Sequence, residues 1–270
     1  MEDIIQWLTS IPINYIIIGF VAFFYTLEQF LNTPFKFKNR PNHLFHNFLI
    51  QVVVYGVGVL FAIFQVSSID WINKHDIGIL NQIEIPVVWK AIVGVALFDF
   101  IMYWCHRLTH KAPLLWRMHR VHHSDTSMDA STFFRIHPFE VAVFGTAQII
   151  AAAVFGLDIV ILGLYFLLLT PFTIAQHSNI HFPIWFDKSF GKLFSTPNIH
   201  KVHHSQNQQY TDSNFADIFI IWDKIFGTYR HLPVNEIVYG LPEFDDEKKQ
   251  TFWYLLKSPF LKIIRTTQKV

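Results

Sequence analysis

Ten histidines fall into four clusters whose spacing can gather imidazole rings at one point. The clusters are His106-Arg-Leu-Thr-His110, His119-Arg-Val-His122-His123, His177-Ser-Asn-Ile-His181 and His200-Lys-Val-His203-His204. Residues three or four apart share one face of a helix, so each cluster, if helical, aims its rings in one direction. Neutral imidazole suits iron, zinc, copper or nickel. A structural zinc is satisfied by about four ligands. Ten nitrogens therefore suit two ions, with positions left for oxygen or water. Neutral ligands leave the metal charge uncompensated, so a bridging hydroxide or a carboxylate is expected. Asp125, Asp129 and Glu140 are close in sequence.

Eleven of the 15 histidines lie between His106 and His204. His43, His46, His75 and His231 fall outside the clusters and are expected at the surface or a membrane interface. Asp99, Tyr103, His106 and His110 share one face of a continuous helix. Asp99 is then placed either to orient a ligand imidazole through its second nitrogen or to bond a neighbouring helix. Thr196 and Pro197 can start a helix as N-cap and first residue, which puts His200 one turn inside it.

The elements that position these residues are apolar. The chain has 270 residues, 52% hydrophobic and only 15% charged, with 17% aromatics led by 29 Phe. The charged share is well below the roughly 25% of a soluble domain. A formal charge of +1 gives no electrostatic basis for nucleic-acid binding. The one cysteine, Cys105, rules out an intramolecular disulfide and a thiolate cluster, and reads as a small buried apolar residue. The acidic start, Met1-Glu2-Asp3, lacks the basic region of a signal peptide.

Three apolar runs, 11–27, 48–66 and 86–104, approach the ~20 residues that cross a bilayer core. A fourth, Val141 to Ala175, would be roughly 50 Å long as one helix. It is read instead as a hairpin turning at Gly156-Leu157-Asp158 and returning to the side it left. The segment after the first run carries Lys36, Lys38 and Arg40 without acid. The segment after the third carries Arg107, Lys111, Arg117, Arg120 and Arg135. Lys74, by contrast, lies among Asp70, Asp76 and Glu84. The positive-inside rule places the first two groups, and with them all four clusters, on the cytosolic face. The expected architecture is all-α: a single domain over 1–270, an integral-membrane bundle of about three spans plus a helical hairpin, capped by a cytosolic histidine-rich helical metal-binding region. The tail from Pro242 is mixed and charged, and 252–261 can lie on the membrane surface.

The stretch from Asp99 to Tyr229 resembles the fatty acid hydroxylase superfamily, also called the sterol desaturase family. The resemblance is carried by Tyr103-Trp104-Cys105-His106-Arg107, Leu115-Trp116, Val121-His122-His123-Ser124, Arg135-Ile-His137-Pro138-Phe-Glu140 and Trp222-Asp223-Lys224-Ile-Phe226-Gly227-Thr228-Tyr229. It implies a membrane-bound non-haem di-iron monooxygenase that uses O2 and external electrons to hydroxylate or desaturate a fatty acyl, sterol or ether lipid. Zinc can replace iron in purified protein. The resemblance carries the ten clustered histidines over as metal ligands. Asp99, Tyr103, His137, Glu140 and Asp125 are expected to surround them. The sequence contains no cytochrome b5 domain, so an external donor of the ferredoxin or cytochrome b5 type, with a reductase, is expected. The implied location is the bacterial inner membrane or the endoplasmic reticulum. Many members carry Asn-Tyr-Gly where this chain has Asn214-Phe215-Ala216. The competing readings are a membrane metal-binding or transport protein without oxygenase activity and a bis-histidine haem carrier. A transporter would place its ligands near the bilayer midplane, whereas these lie at or beyond the predicted helix ends.

Overall fold

Apolar helices with polar ends account for most of the structure. The computed structural model describes residues 12–31, 33, 37 and 39–262. The acidic N-terminus, Ile11, Lys36 and Lys38, used above for the first span and the orientation, lie outside them. The main helices are α1 (Ile13–Leu27), α2 (Arg40–Lys74), α3 (Val87–Lys111), α4 (Pro113–His123), α5 (Glu140–Phe155), α6 (Ile159–His177), α7 (Pro197–His203) and α8 (Phe252–Lys257). Among the described residues the only β-pairing is two isolated bridges, Phe194 with Phe219 and Ser205 with Tyr239.

Helices α2, α3 and α6 are long and apolar enough to cross a membrane, and α1 and α5 are shorter apolar helices. The 15 residues of α1 span roughly 22 Å, less than a hydrocarbon core of about 30 Å. The described part of the first expected span is thus short of a full crossing. Helix α2 exceeds its expected span at both ends. The Asn39 side chain accepts from Asn42 N at its start, and the chain turns after Lys74 through Asp76 (φ 52°). Its outer face carries Val52, Leu60, Ile63 and Phe64, all exposed, as suits a surface solvated by lipid.

The hairpin forms as its sequence requires. Gly156 adopts a left-handed conformation (φ 72°) that closes α5, and the Asp158 side chain accepts from Ile161 N at 2.9 Å to start α6. Gly156 meets Gly78 so closely that a Cβ on Gly78 would stand 2.0 Å from Gly156 N. The turn therefore docks on the loop after α2, and both hairpin arms point their other ends at the histidines. Helices α3, α5 and α6 interlock through Phe98, Met102, Ala147, Ala151, Ile161 and Tyr165. Cys105 belongs to this core, as its size suggests.

Candidate metal centre

The histidines converge at one end of the bundle in two buried groups. One holds His106, His110, His119, His123 and His203, and the other His122, His177, His200 and His204. Within each group the candidate ligand atoms lie within 4.8 Å of one another. Each His-x-x-His-His box is divided between the groups. His119 and His123 share the first group while His122 turns to the second. His200 and His204 share the second while His203 turns to the first. This corrects the expectation that each box aims at one point: at about 3.6 residues per turn the third and fourth positions fall on opposite sides of the first and about 100° from each other, so the two adjacent histidines of each box face different groups.

The two His-x-x-x-His boxes behave differently. Helix α3 runs through His110 to Lys111, so His106 and His110 face the same point. Helix α6 ends at His177, and Ser178 is extended (ψ 144°). His181 is therefore not one helical turn further on. It is exposed and belongs to neither group. This corrects the expectation that all ten histidines converge. Pro183, two residues beyond, is a sequence signal for the helix end.

The rings are oriented from behind. The Nδ1 atoms of His106, His122, His177 and His203 lie 2.8, 3.2, 2.6 and 2.6 Å from the carbonyl oxygens of Phe215, Arg135, Thr173 and Ser213. His119 Nδ1 lies 2.6 Å from Glu140 Oε2, and His110 Nδ1 lies 3.3 Å from Asp212 Oδ1. An oxygen acceptor at Nδ1 selects the Nδ1–H tautomer and leaves the Nε2 lone pair facing inward. Neighbouring Nε2 atoms stand close together: His106–His119 at 3.1 Å, His119–His123 at 3.2 Å, His122–His177 at 3.0 Å, His177–His200 at 3.4 Å and His200–His204 at 3.2 Å. An ion about 2 Å from two nitrogens holds them about 3 Å apart. His203 Nε2 is buried and has no hydrogen-bond partner among the described residues. Burial and the neighbouring imidazoles push His203 down to about 3 and hold His122, His123, His200 and His204 well below their ordinary value. Such rings are neutral, the form that binds metal, so this donor set fits two ions.

The surrounding residues differ in part from expectation. Glu140 touches His119, and its other oxygen accepts from His137 N at 3.1 Å. The His137 ring points away to the Leu256 carbonyl, 3.1 Å off, and ties α8 to the site. Asp99 touches no imidazole. It accepts from Ile218 N, Phe219 N and Trp222 Nε1 at 3.1, 3.0 and 2.9 Å, and from Tyr165 on α6 at 3.4 Å. Asp223 accepts from Phe215 N and Ala216 N, each at 2.8 Å, and from Thr228 at 2.6 Å. Tyr103 pairs with the same Thr228 at 2.8 Å. Asp99, Asp223 and Tyr103 thus brace the segment whose Phe215 carbonyl holds His106. The Phe215 ring also packs on His106, His110 and His203.

Asp125 faces away from the histidine groups. It accepts from Thr132 Oγ1 at 2.7 Å and pairs with His43 Nε2 at 2.9 Å. Burial alone would raise its pKa, but His43 and Arg135 outweigh this and hold the carboxyl well below the usual range. His43, expected at the surface or a membrane interface, is half-buried and part of a charged network with Asp125. Glu28 is another residue that the sequence did not single out. It pairs with Arg40 and accepts from Ala130 N at 2.9 Å and Asn179 N at 2.8 Å. Lys201 lies next to His200 and is buried, donating to the Ile180 carbonyl at 3.0 Å.

A cavity of about 610 Å³ opens among α1, α2, α3, α5 and α6 and ends at His106, His119, His122, His177 and His200. That volume falls within the range of small-molecule sites. Most of its wall is apolar, with Met102, Phe133, Phe144, Phe166 and Leu169 among the lining residues. Asp217, also missed in the sequence, lines it beside His106, with its carboxylate 3.9 Å from His106 Nδ1 and accepting from Tyr165 at 3.2 Å. Burial and the Asp99 charge push Asp217 up to about 7.

Apolar helices of spanning length, a paired histidine centre and an apolar cavity reaching it define a membrane protein built around a candidate metal site. The comparisons agree. The chain matches the fatty acid hydroxylase family over residues 91–228. It is 30% identical over 210 residues to a very-long-chain aldehyde decarbonylase of Oryza sativa subsp. indica, covering 76% of this chain and 73% of that protein. It is 33% identical over 166 residues to the alkylglycerol monooxygenase of Homo sapiens, covering 58% of this chain and 33% of that protein. It is 33% identical over 164 residues to a methylsterol monooxygenase of Arabidopsis thaliana, covering 57% and 60%. No solved structure matches. The chain belongs to the fatty acid hydroxylase family, and it is an oxidoreductase.

Proposed function

We propose that this protein is a membrane-bound di-iron oxygenase that hydroxylates or desaturates a lipid, with its metal site on the cytosolic face. The observation that carries the reading is the meeting of a mostly apolar cavity with the two histidine groups. An acyl chain or sterol can enter between lipid-facing helices and present one C–H bond to the site without crossing water. His106, His110, His119, His123 and His203 would hold one ion, and His122, His177, His200 and His204 the other. Bound iron would supply the activation of O2 and the oxidation of the C–H bond.

The chain's own residues set the conditions. Glu140 fixes the ring of His119. The apolar wall excludes bulk water and so protects reactive species from side reactions. Asp217 sits at the cavity wall with a carboxyl raised to about 7, where it can hold or release a proton beside His106. Electrons would come from a separate donor of the ferredoxin or cytochrome b5 type. Ligands at helix ends, not along a path through the bilayer, favour this reading over metal transport.

The test is lipid mass spectrometry of a host with and without the gene, under isotopically labelled O2. A lipid that gains labelled oxygen or loses two hydrogens only when the gene is present supports the reading. An unchanged lipid profile with abundant, metal-loaded protein would overturn it.

A further inference from the structure

The wall of the cavity carries a polar pair that the histidine chemistry leaves unexplained. Gln65 on α2 donates its Nε2 to Gln148 Oε1 on α5, and both residues line the cavity. Gln148 is only 5% exposed. Gly145 makes the pairing possible. A Cβ there would stand 2.3 Å from the ring of Phe61, so the glycine lets α2 and α5 approach where the two amides meet one turn further on.

One amide–amide bond uses one donor and one acceptor. Gln148 Nε2 and Gln65 Oε1 have no further partner among the described residues. Flipping both amides leaves the same inventory, one NH2 group and one carbonyl oxygen without a partner, besides the second N–H of the donating amide. Unsatisfied polar atoms are costly in an apolar, lipid-surrounded site. A hydroxyl group both accepts and donates, so a single ligand oxygen can bond the free amide nitrogen and the free carbonyl together. Gln148 lies eight residues along α5 from Glu140, which holds His119. At the α-helical rise this places Gln148 roughly 12 Å along the helix axis from Glu140.

We propose that Gln65 and Gln148 form a recognition element that selects a lipid bearing a hydroxyl group remote from the carbon presented to the histidines, at a wall position about two helical turns along α5 from Glu140. This inference rests on the cavity being the substrate site. The pair acts on binding and takes no part in the oxidation.

The experiment is native mass spectrometry of the purified full-length protein with matched lipid pairs at equal concentration: hexadecanol against hexadecane, and cholesterol against its deoxy analogue. Neither O2 nor reductant is added. The wild type should retain the hydroxylated member of at least one pair about tenfold over its partner, as two hydrogen bonds would give. In a Gln65→Leu/Gln148→Leu variant the preference should fall to within about twofold while the apolar member still binds. A Gln65→Met/Gln148→Met variant provides a second packing of the same site. Equal retention of both members of each pair by the wild type would overturn the proposal, as would an undiminished preference in a folded variant. Absence of lipid oxidation in the cellular assay would instead count against the oxygenase reading and leave this selectivity result standing.

Discussion

Glu140 lies 2.6 Å from His119 Nδ1 and is itself held by His137 N. A carboxylate behind the ring fixes its direction and holds it in place for a metal. Replacing it with Gln keeps the shape and removes the charge. Outer partners of this kind are worth about 10- to 100-fold in metal affinity. Glu140→Gln should therefore lose metal to a chelator at correspondingly lower concentration, with protein level in the membrane unchanged. Metal retention equal to wild type would refute that role. A pH dependence belongs to the same scale. Folded His203 stays neutral down to about pH 3, whereas an unfolded imidazole takes a proton near 6.5. The unfolded state binds more protons across that window, so stability falls as pH drops through it. Metal loss follows the same sign, because protons compete for the ligand nitrogens. Metal content and thermal aggregation, followed from neutral pH downward, should show both losses starting below about pH 6.5. These roles were unequally legible in the sequence. The histidine boxes declare themselves because their geometry is local. Asp99 was visible as a buried acid, but its partners at 218, 219 and 222 are more than a hundred residues away. Glu28, His43 and Asp217 gave no local signal, since only tertiary packing brings them near the site.

At the scale of elements, apolar runs and turn residues foretold α3, the hairpin and the longer α2. Helix ends were harder to place. The spacing of His177 and His181 looks the same as that of His106 and His110, yet only α3 continues through its second histidine. Thr196 does sit at the N-cap of α7, but its hydroxyl donates to Asp187 instead of capping the helix. The packing of α2 supports a further prediction. Gly58 lines the cavity, and a Cβ there would meet nothing within 4 Å among the described residues. A helical glycine costs roughly 0.5–1 kcal/mol relative to Ala, so a larger side chain should not weaken α2. Gly58→Phe would instead fill the space meant for substrate. Lipid turnover should fall by about tenfold or more at normal protein level. Full activity with Gly58→Phe would show that substrate does not use this cavity.

For the whole molecule, the hairpin turn and the loop after α2 mark one end, and the histidine groups mark the other. The side chains of Lys74 and Lys111 are 71% and 57% exposed, and Lys248 is also exposed. In a Cys105→Ala background, cysteines at 111 and 248 should label from the cytosolic side and a cysteine at 74 from the other. Labelling of 74 and 111 from the same side would contradict the arrangement. Lys201, basic and close to the site in sequence, is unsuitable for this purpose because it is buried.

The central claim is that one chain holds two ions through nine histidines, and metal analysis of anaerobically purified protein tests it most directly. Two groups of five and four imidazoles predict about two ions per chain, iron or substituting zinc. His181→Ala should keep that number, because His181 is exposed and outside both groups, whereas His122→Ala and His203→Ala should lower it. A value near one in the wild type, or loss of metal in His181→Ala with full occupancy in His122→Ala and His203→Ala, would contradict the account.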